Sequence, residues 1–130
     1  MLIKLKKNVR EAYLNKHKVY KVLGIFDNSY RIINEKGTPA IYNILLFDII
    51  NGNMEFDCVV EVFNKNIYII PKELECFSYE SFFDGDKKSL NIFLKFLKKQ
   101  NIAMVSNLAY APDIRKKYYD KLLEKIEKHF

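Results

Sequence analysis

The spacing of the apolar residues changes once along the chain, and this change limits the folds that the chain can adopt. Over residues 3–70 apolar side chains recur mainly at every second position, which is the spacing of strands that are half buried in a sheet. Further on they recur at helical spacing, in Leu90, Phe93, Leu94 and Leu97. Strands first and helices last favour an α+β architecture, with helices packed on an antiparallel sheet, over a repeated strand–helix–strand plan.

Turn residues divide the first part of the chain into short strands. Asp27-Asn28-Ser29, Asn51-Gly52-Asn53 and Asn64-Lys65-Asn66 are typical of tight turns, because Asn, Asp and Gly tolerate the backbone angles that such turns need. Each of the three therefore predicts a hairpin. The predicted strands cover residues 3–9, 19–26, 30–34, 40–42, 45–50, 54–63 and 67–70.

Helix signals follow in the second part. Asp86 is a suitable N-cap for a helix that ends near residue 99. Pro112 and Asp113 suit the first turn of a final helix over residues 112–128, with a possible last strand at 102–105. We therefore expect two C-terminal helices.

Size and composition predict one domain over residues 1–130. Half of the residues are hydrophobic, 10 Phe and 9 Tyr are present, and Gly and Pro are few, all of which argue against disorder. No apolar stretch is long enough for a membrane span, and the alternating start does not resemble a signal peptide. We expect a cytoplasmic protein without membrane contact, as a monomer or a homodimer.

Residues that could carry catalysis or bind a metal do not converge in the sequence. His17 lies among lysines and His129 is the penultimate residue, so neither is a convincing general base. Cys58 and Cys76 are isolated from each other and are expected to be reduced, buried thiols. Asp84-Gly85-Asp86 lacks the further acids of a calcium loop. We expect no enzyme activity, metal or cofactor.

The charge is unevenly distributed along the chain. The net charge is +6, yet residues 71–86 contain five carboxylates and one lysine, interleaved with aromatic residues. Acids that steer a basic protein and aromatics that anchor it are typical of a partner-binding surface. The predicted partner contacts are Glu73, Glu75, Phe77, Tyr79, Glu80, Phe82, Asp84 and Asp86. The alternative is that these aromatics belong to the core and the acids are merely solvated.

The basic N-terminal segment supports a second hypothesis, a nucleic-acid-binding module. Residues 1–21 carry seven Lys or Arg and one Glu, with Tyr13 and Tyr20 among them, and basic and aromatic residues on a sheet can bind single strands by stacking. No recognition motif is present, and lysines also protect strand edges. The predicted contacts are Lys4, Lys6, Lys7, Arg10, Lys16 and Lys18.

Five segments resemble the immunity proteins of bacterial polymorphic toxin systems, including those of contact-dependent growth inhibition. They are KVYKVLGI (18–25), YRIINEKGTP (30–39), LFDII (46–50), PKEL (71–74) and FFDGD (82–86). The similarity covers residues 18–98 and omits the N-terminal strand and the last helix.

The resemblance implies a cytosolic inhibitor that binds a cognate toxin C-terminal domain, often a nuclease, and blocks its active site or substrate surface. It also implies a strongly bent antiparallel sheet, barrel-like or similar to the Whirly fold, with the two C-terminal helices packed on it. Inhibitors of basic nucleases are commonly acidic, whereas this chain is basic. Either residues 71–86 bind locally, or the toxin is not strongly basic.

Overall fold

The computed structural model describes residues 1–100 and 102 of the chain. The strands are β1 (Leu2–Leu5), β2 (Tyr20–Lys21), β3 (Gly24–Phe26), β4 (Ser29–Ile33), β5 (Pro39–Asn43), β6 (Phe47–Asn51), β7 (Cys58–Phe63) and β8 (Asn66–Pro71). The α-helices are α1 (Tyr79–Phe83) and α2 (Lys87–Lys99), and short 3₁₀ turns lie at Ile44–Leu46 and Lys72–Leu74. No helix in these residues is long and apolar enough to cross a membrane.

The predicted α+β class is confirmed, with the strands divided between two antiparallel sheets. The smaller sheet has the order β2-β1-β6 and the larger one the order β5-β4-β3-β8-β7. In the described part of the chain both sheets are open, and neither forms a closed barrel. The larger sheet therefore ends in two edge strands, β5 and β7.

Two of the three predicted hairpins are confirmed. β3 pairs with β4 through a turn at Asp27, which has a φ of 56°. β7 pairs with β8 along its whole length, and the connecting Asn64 and Lys65 have φ values of 48° and 65°. Positive φ angles at two consecutive residues are characteristic of a type I′ turn, whose backbone twist matches that of the paired strands.

The third predicted hairpin, at Asn51-Gly52-Asn53, is wrong. β6 pairs with β1, whereas β7 pairs with β8 in the other sheet. The side chain of Asn51 accepts a hydrogen bond from the backbone N–H of Asn53 at 2.9 Å, and the N-terminal ammonium donates to the carbonyl of Asn53. These contacts hold the segment as a crossing between sheets, so that β7 begins at Cys58, later than predicted.

Two clusters of buried side chains form the core of the part of the chain that the structure describes. One combines residues of both sheets, among them Ile3 and Leu5 of β1 and Ile32 of β4. The other lies under α2, whose predicted inward face is confirmed because Leu90, Phe93, Leu94 and Leu97 are at most 1% exposed. Ile33 of β4 packs in the α2 cluster, whereas Tyr30 and Ile32 pack with the smaller sheet, so the helix and the smaller sheet lie on opposite faces of β4.

The C-terminal predictions fall mostly beyond the described part. Ile102 packs against the α2 cluster, and its N–H donates to the carbonyl of Leu97 at 2.9 Å. The remainder of the predicted strand at 102–105 and the helix at 112–128 lie outside the described residues.

Candidate partner-binding surface

Residues 71–86 form a compact connection between β8 and α2. The Ser78 hydroxyl caps α1 by accepting a hydrogen bond from the N–H of Ser81 at 3.2 Å. Gly85, with a φ of 83°, follows α1, and Asp86 then caps α2. A positive φ at this point suits glycine, which has no Cβ to clash. Two caps and one glycine therefore determine the path of the segment.

The aromatic residues of this segment pack inward. Phe82 is 1% exposed, and its ring centre lies 4.9 Å from that of Phe93 on α2. The Phe77 ring stacks on Phe93 at 5.5 Å, and Tyr79 meets Phe77 edge-on at 4.8 Å. Phe82 is a core residue without surface to offer a partner, and we do not retain it as a contact. Phe77 and Tyr79 keep partial exposure.

The five acids of the segment are all exposed, but two of them have structural roles. Glu73 pairs with Lys99 at 2.8 Å. Asp86 accepts from the hydroxyl and the N–H of Ser89 at 2.8 and 2.9 Å, and these hydrogen bonds lower the pKa of its carboxyl group.

The other three acids have no such role among the described residues. Within residues 1–100 and 102, the carboxylates of Glu75, Glu80 and Asp84 form no ion pair or hydrogen bond. These three are therefore the members of the predicted set that best suit a charged interface.

A pocket of about 280 Å³ opens where this segment meets the β7–β8 hairpin. Two of its lining residues, Leu23 and Leu74, are buried, at 1% and 3% exposed. Its aromatic lining is Phe26, Phe63, Tyr68, Phe77 and Tyr79. Two exposed carboxylates, Glu61 from β7 and Glu75 from the acidic segment, also line it. The pocket thus combines an apolar interior with acidic groups.

The sequence-based prediction did not include Glu61 and Phe63. In a strand, alternate residues face the same side, so Glu61 and Phe63 point away from the side of Val60 and Val62. The pattern of β7 could have shown that these two share a face. It could not have shown that residues 71–79 fold over that face, because that contact depends on the tertiary structure.

The opposite side of the same hairpin exposes aliphatic residues. Val60, Val62 and Ile67 are 66%, 71% and 53% exposed, and register pairs Val62 with Ile67 across the two strands. β7 is also an edge strand, and no other strand of the described residues pairs with its outer side. Adjoining exposed apolar side chains are a mark of interaction surfaces.

The basic residues of the N-terminal hypothesis lie on β1 and the long connection that follows it. Lys6, Lys7, Arg10 and Lys16 are exposed, and Lys4 is half-buried on β1. Lys18 is half-buried and pairs with Glu35 at 3.3 Å.

The aromatic partners of these basic residues are poorly placed for stacking on bases. Tyr20 is 3% exposed and donates a hydrogen bond to Glu35 at 2.6 Å. Tyr13 is half exposed, and the Lys36 ammonium lies 3.8 Å from its ring centre. The N-terminal segment therefore presents exposed basic residues, but neither Tyr13 nor Tyr20 offers a free ring face on which a base could stack, as far as the described part of the chain shows.

The groups considered for catalysis remain scattered. Both cysteines are free; Cys58 is half-buried, and burial raises the pKa of its thiol. Cys76 is exposed, so the prediction of two buried thiols is wrong for it, because it follows the 3₁₀ turn on the surface. His17 is exposed, and His129 lies outside the described residues. No group of three potential metal ligands exists among the residues that the structure describes.

Comparison with known proteins yields no relative: no family model, no curated protein and no solved structure matches the chain. The resemblance to immunity proteins therefore stays a prediction from the five segments. Since one fold can serve many functions, the functional argument depends on the site itself.

Proposed function

We propose that this chain is an immunity-type inhibitor, a cytoplasmic protein that binds a toxin domain and covers its active site or substrate surface. One observation carries the binding part of the proposal: Phe63 of the β7–β8 hairpin, which is 66% exposed, lines a pocket together with the carboxylates of Glu61 and Glu75. Apolar anchors supply most of the energy of a protein interface, and charges give orientation and speed. The toxin as partner is inferred from the resemblance.

The charge of this surface favours a basic protein as the partner. Glu75 and Glu80 are exposed and, in the described part, free of ion pairs. A nuclease that binds an anionic substrate carries positive charge in its cleft, which such carboxylates would meet. The chain as a whole is basic. The attraction of a basic partner is therefore local to the surface around Glu75 and Glu80.

The proposal predicts that a toxin domain is encoded directly upstream of this chain. The test uses that domain, with titration calorimetry for binding and the toxin's own activity for protection. We expect a one-to-one complex. The double variant E75K/E80K should bind about tenfold or more weakly, which corresponds to about 1.4 kcal/mol. The matched control E11K/D48K makes the same charge change at exposed positions away from the pocket and should bind like the wild type.

Two outcomes would overturn this proposal. One is the absence of a complex with the purified toxin domain. The other is an equal loss of toxin affinity in both double variants, because the effect would then reflect the net charge of the chain and not the positions of Glu75 and Glu80. Unfolding temperatures of both variants equal to that of the wild type will establish that neither change acts through stability.

The nucleic-acid alternative has one observation in its favour, the four exposed basic residues Lys6, Lys7, Arg10 and Lys16. It predicts binding to single-stranded DNA that weakens steeply with salt, because phosphate contacts release counterions. Fluorescence anisotropy with a labelled oligonucleotide at low and moderate salt tests it directly. A flat titration at low salt eliminates this alternative.

A further inference from the structure

The pocket between β7–β8 and residues 71–79 has the chemistry of a receptor for one cationic side chain. Glu61 and Glu75 come from different elements and line the same cavity. Neither carboxylate has an ion pair or a side-chain hydrogen bond within residues 1–100 and 102. Both are exposed, so they can turn toward a ligand without losing an internal contact.

The aromatic walls add a second selective element. Tyr68 and Phe77 line the cavity together with Phe26 and Tyr79. A guanidinium group can stack on aromatic faces and pair with carboxylates through its planar array of N–H donors, whereas an ammonium is a compact, strongly hydrated point charge. The apolar lining residues Leu23, Ile70 and Leu74 can accommodate the aliphatic stem of such a side chain.

The molecule already shows one guanidinium against two of these rings. The guanidinium carbon of Arg31 lies 3.8 Å from the ring centre of Tyr79 and 4.9 Å from that of Phe26. Arg31 does not itself line the pocket. Arg31 thus contributes one positive charge beside two of the lining rings, against the two carboxylates of Glu61 and Glu75 in the lining itself.

We infer that the pocket receives an arginine side chain of the protein partner, stacked on the aromatic wall and paired with Glu61 and Glu75. This inference rests on the proposed function for the source of the arginine. It goes further by naming the residue type that anchors the complex.

The test needs no toxin. Acetyl-arginine methylamide is titrated into the isotope-labelled full chain and followed by NMR, beside acetyl-lysine and acetyl-norleucine methylamides. We expect saturable shifts at pocket residues with the arginine probe, weaker ones with the lysine probe and none with the norleucine probe. In E61Q/E75Q the arginine affinity should fall about tenfold, and in the control E11Q/D48Q it should stay unchanged.

Several results would overturn the inference. One is equal affinity for the norleucine and arginine probes, which would indicate a merely apolar pocket. Another is NMR shifts at residues outside the pocket. A third is undiminished affinity of a folded E61Q/E75Q for the arginine probe. The spectrum of each variant without probe reports its folding. If the arginine probe fails while E75K/E80K still weakens toxin binding, the proposed function stands without this anchor. If the probe binds but no toxin complex forms, the pocket stands and the proposed function fails.

Discussion

The guanidinium carbon of Arg31 lies 3.8 Å from the centre of the Tyr79 ring, so a strand of the larger sheet is joined to the first residue of α1. Among the described residues no carboxylate pairs with Arg31; its Nη1 donates to the carbonyl of Pro39 at 2.7 Å, and its buried Nε has no partner. Burial lowers the pKa of the guanidinium and raises that of the Tyr79 phenol. The ring face is therefore an important source of stabilisation for this cation.

We predict a favourable coupling energy of about 1 kcal/mol between Arg31 and Tyr79. Urea unfolding of the wild type, R31M, Y79L and the double variant would measure it. The control Y79F keeps the aromatic face and should lose much less stability than Y79L. If Y79F and Y79L are equally destabilised, or the coupling is zero, the ring does not stabilise the cation.

Gly24→Ala should destabilise the protein by about 1–3 kcal/mol, because the site is overpacked. A Cβ at this position would lie 2.9 Å from Cε2 of Phe26 and 3.3 Å from the carbonyl oxygen of Ile69. The Phe26 ring, which lies against Arg31 and lines the pocket, would have to shift. We expect weaker binding of the arginine probe as well.

The matched control for this change is Gly52→Ala. A Cβ there would have Ile49 Cγ2 as its nearest neighbour, at 4.0 Å. Denaturant unfolding of both variants should show a clear loss for G24A and a change within about 0.5 kcal/mol for G52A. Equal losses of stability in the two variants would mean that the closeness of Phe26 does not exclude a larger side chain at position 24.

Local signals in the sequence predicted those elements whose form depends on neighbours in the chain. The turn at Asn64 and Lys65 and the cap at Asp86 each act within a few residues, and both were correct. The hairpin predicted at Asn51-Gly52 failed because β6 pairs with β1, which is distant in sequence and whose Ile3 and Leu5 share a buried cluster with Phe47 of β6. Turn chemistry cannot decide between two sheets.

The candidate site was predictable only in part, for the same reason. The acids of residues 71–86 are on the surface as expected, because carboxylates without partners stay in water. The aromatics turned inward because α2 offers Phe93 as a packing partner. Glu61 and Phe63 entered the site only through the folding of a later segment over β7.

Asn34 holds the turn between β4 and β5, and Asn34→Ala should cost about 1–3 kcal/mol. Its side-chain oxygen accepts from the N–H groups of Lys36 and Thr38 at 3.0 and 3.1 Å, and its Nδ2 donates to the Tyr42 hydroxyl at 3.1 Å. Tyr42→Phe removes only the last of these bonds and should cost less. Guanidinium unfolding compares the two, and an equal or larger loss in Y42F would contradict this account.

The cap at Asp86 should make the stability of the protein depend on pH in the acid range. Hydrogen bonds from the hydroxyl and then the N–H of Ser89 lower the pKa of this carboxyl group below its ordinary value of 3.8. A carboxylate with a lowered pKa stabilises the fold above its ordinary pKa, and this contribution disappears as the pH falls through the lower value. The variant D86N keeps a capping oxygen but does not titrate.

We therefore expect the thermal midpoint of the wild type to exceed that of D86N at neutral pH, with the difference shrinking as the pH is lowered below about 4. The midpoint of D86A should be lower than that of D86N, by an amount that varies little with pH, since neither residue carries a charge there. Thermal unfolding followed by circular dichroism between pH 7 and pH 3 measures all three. A difference between wild type and D86N that stays constant or grows on acidification would show that the charge of Asp86 does not stabilise α2.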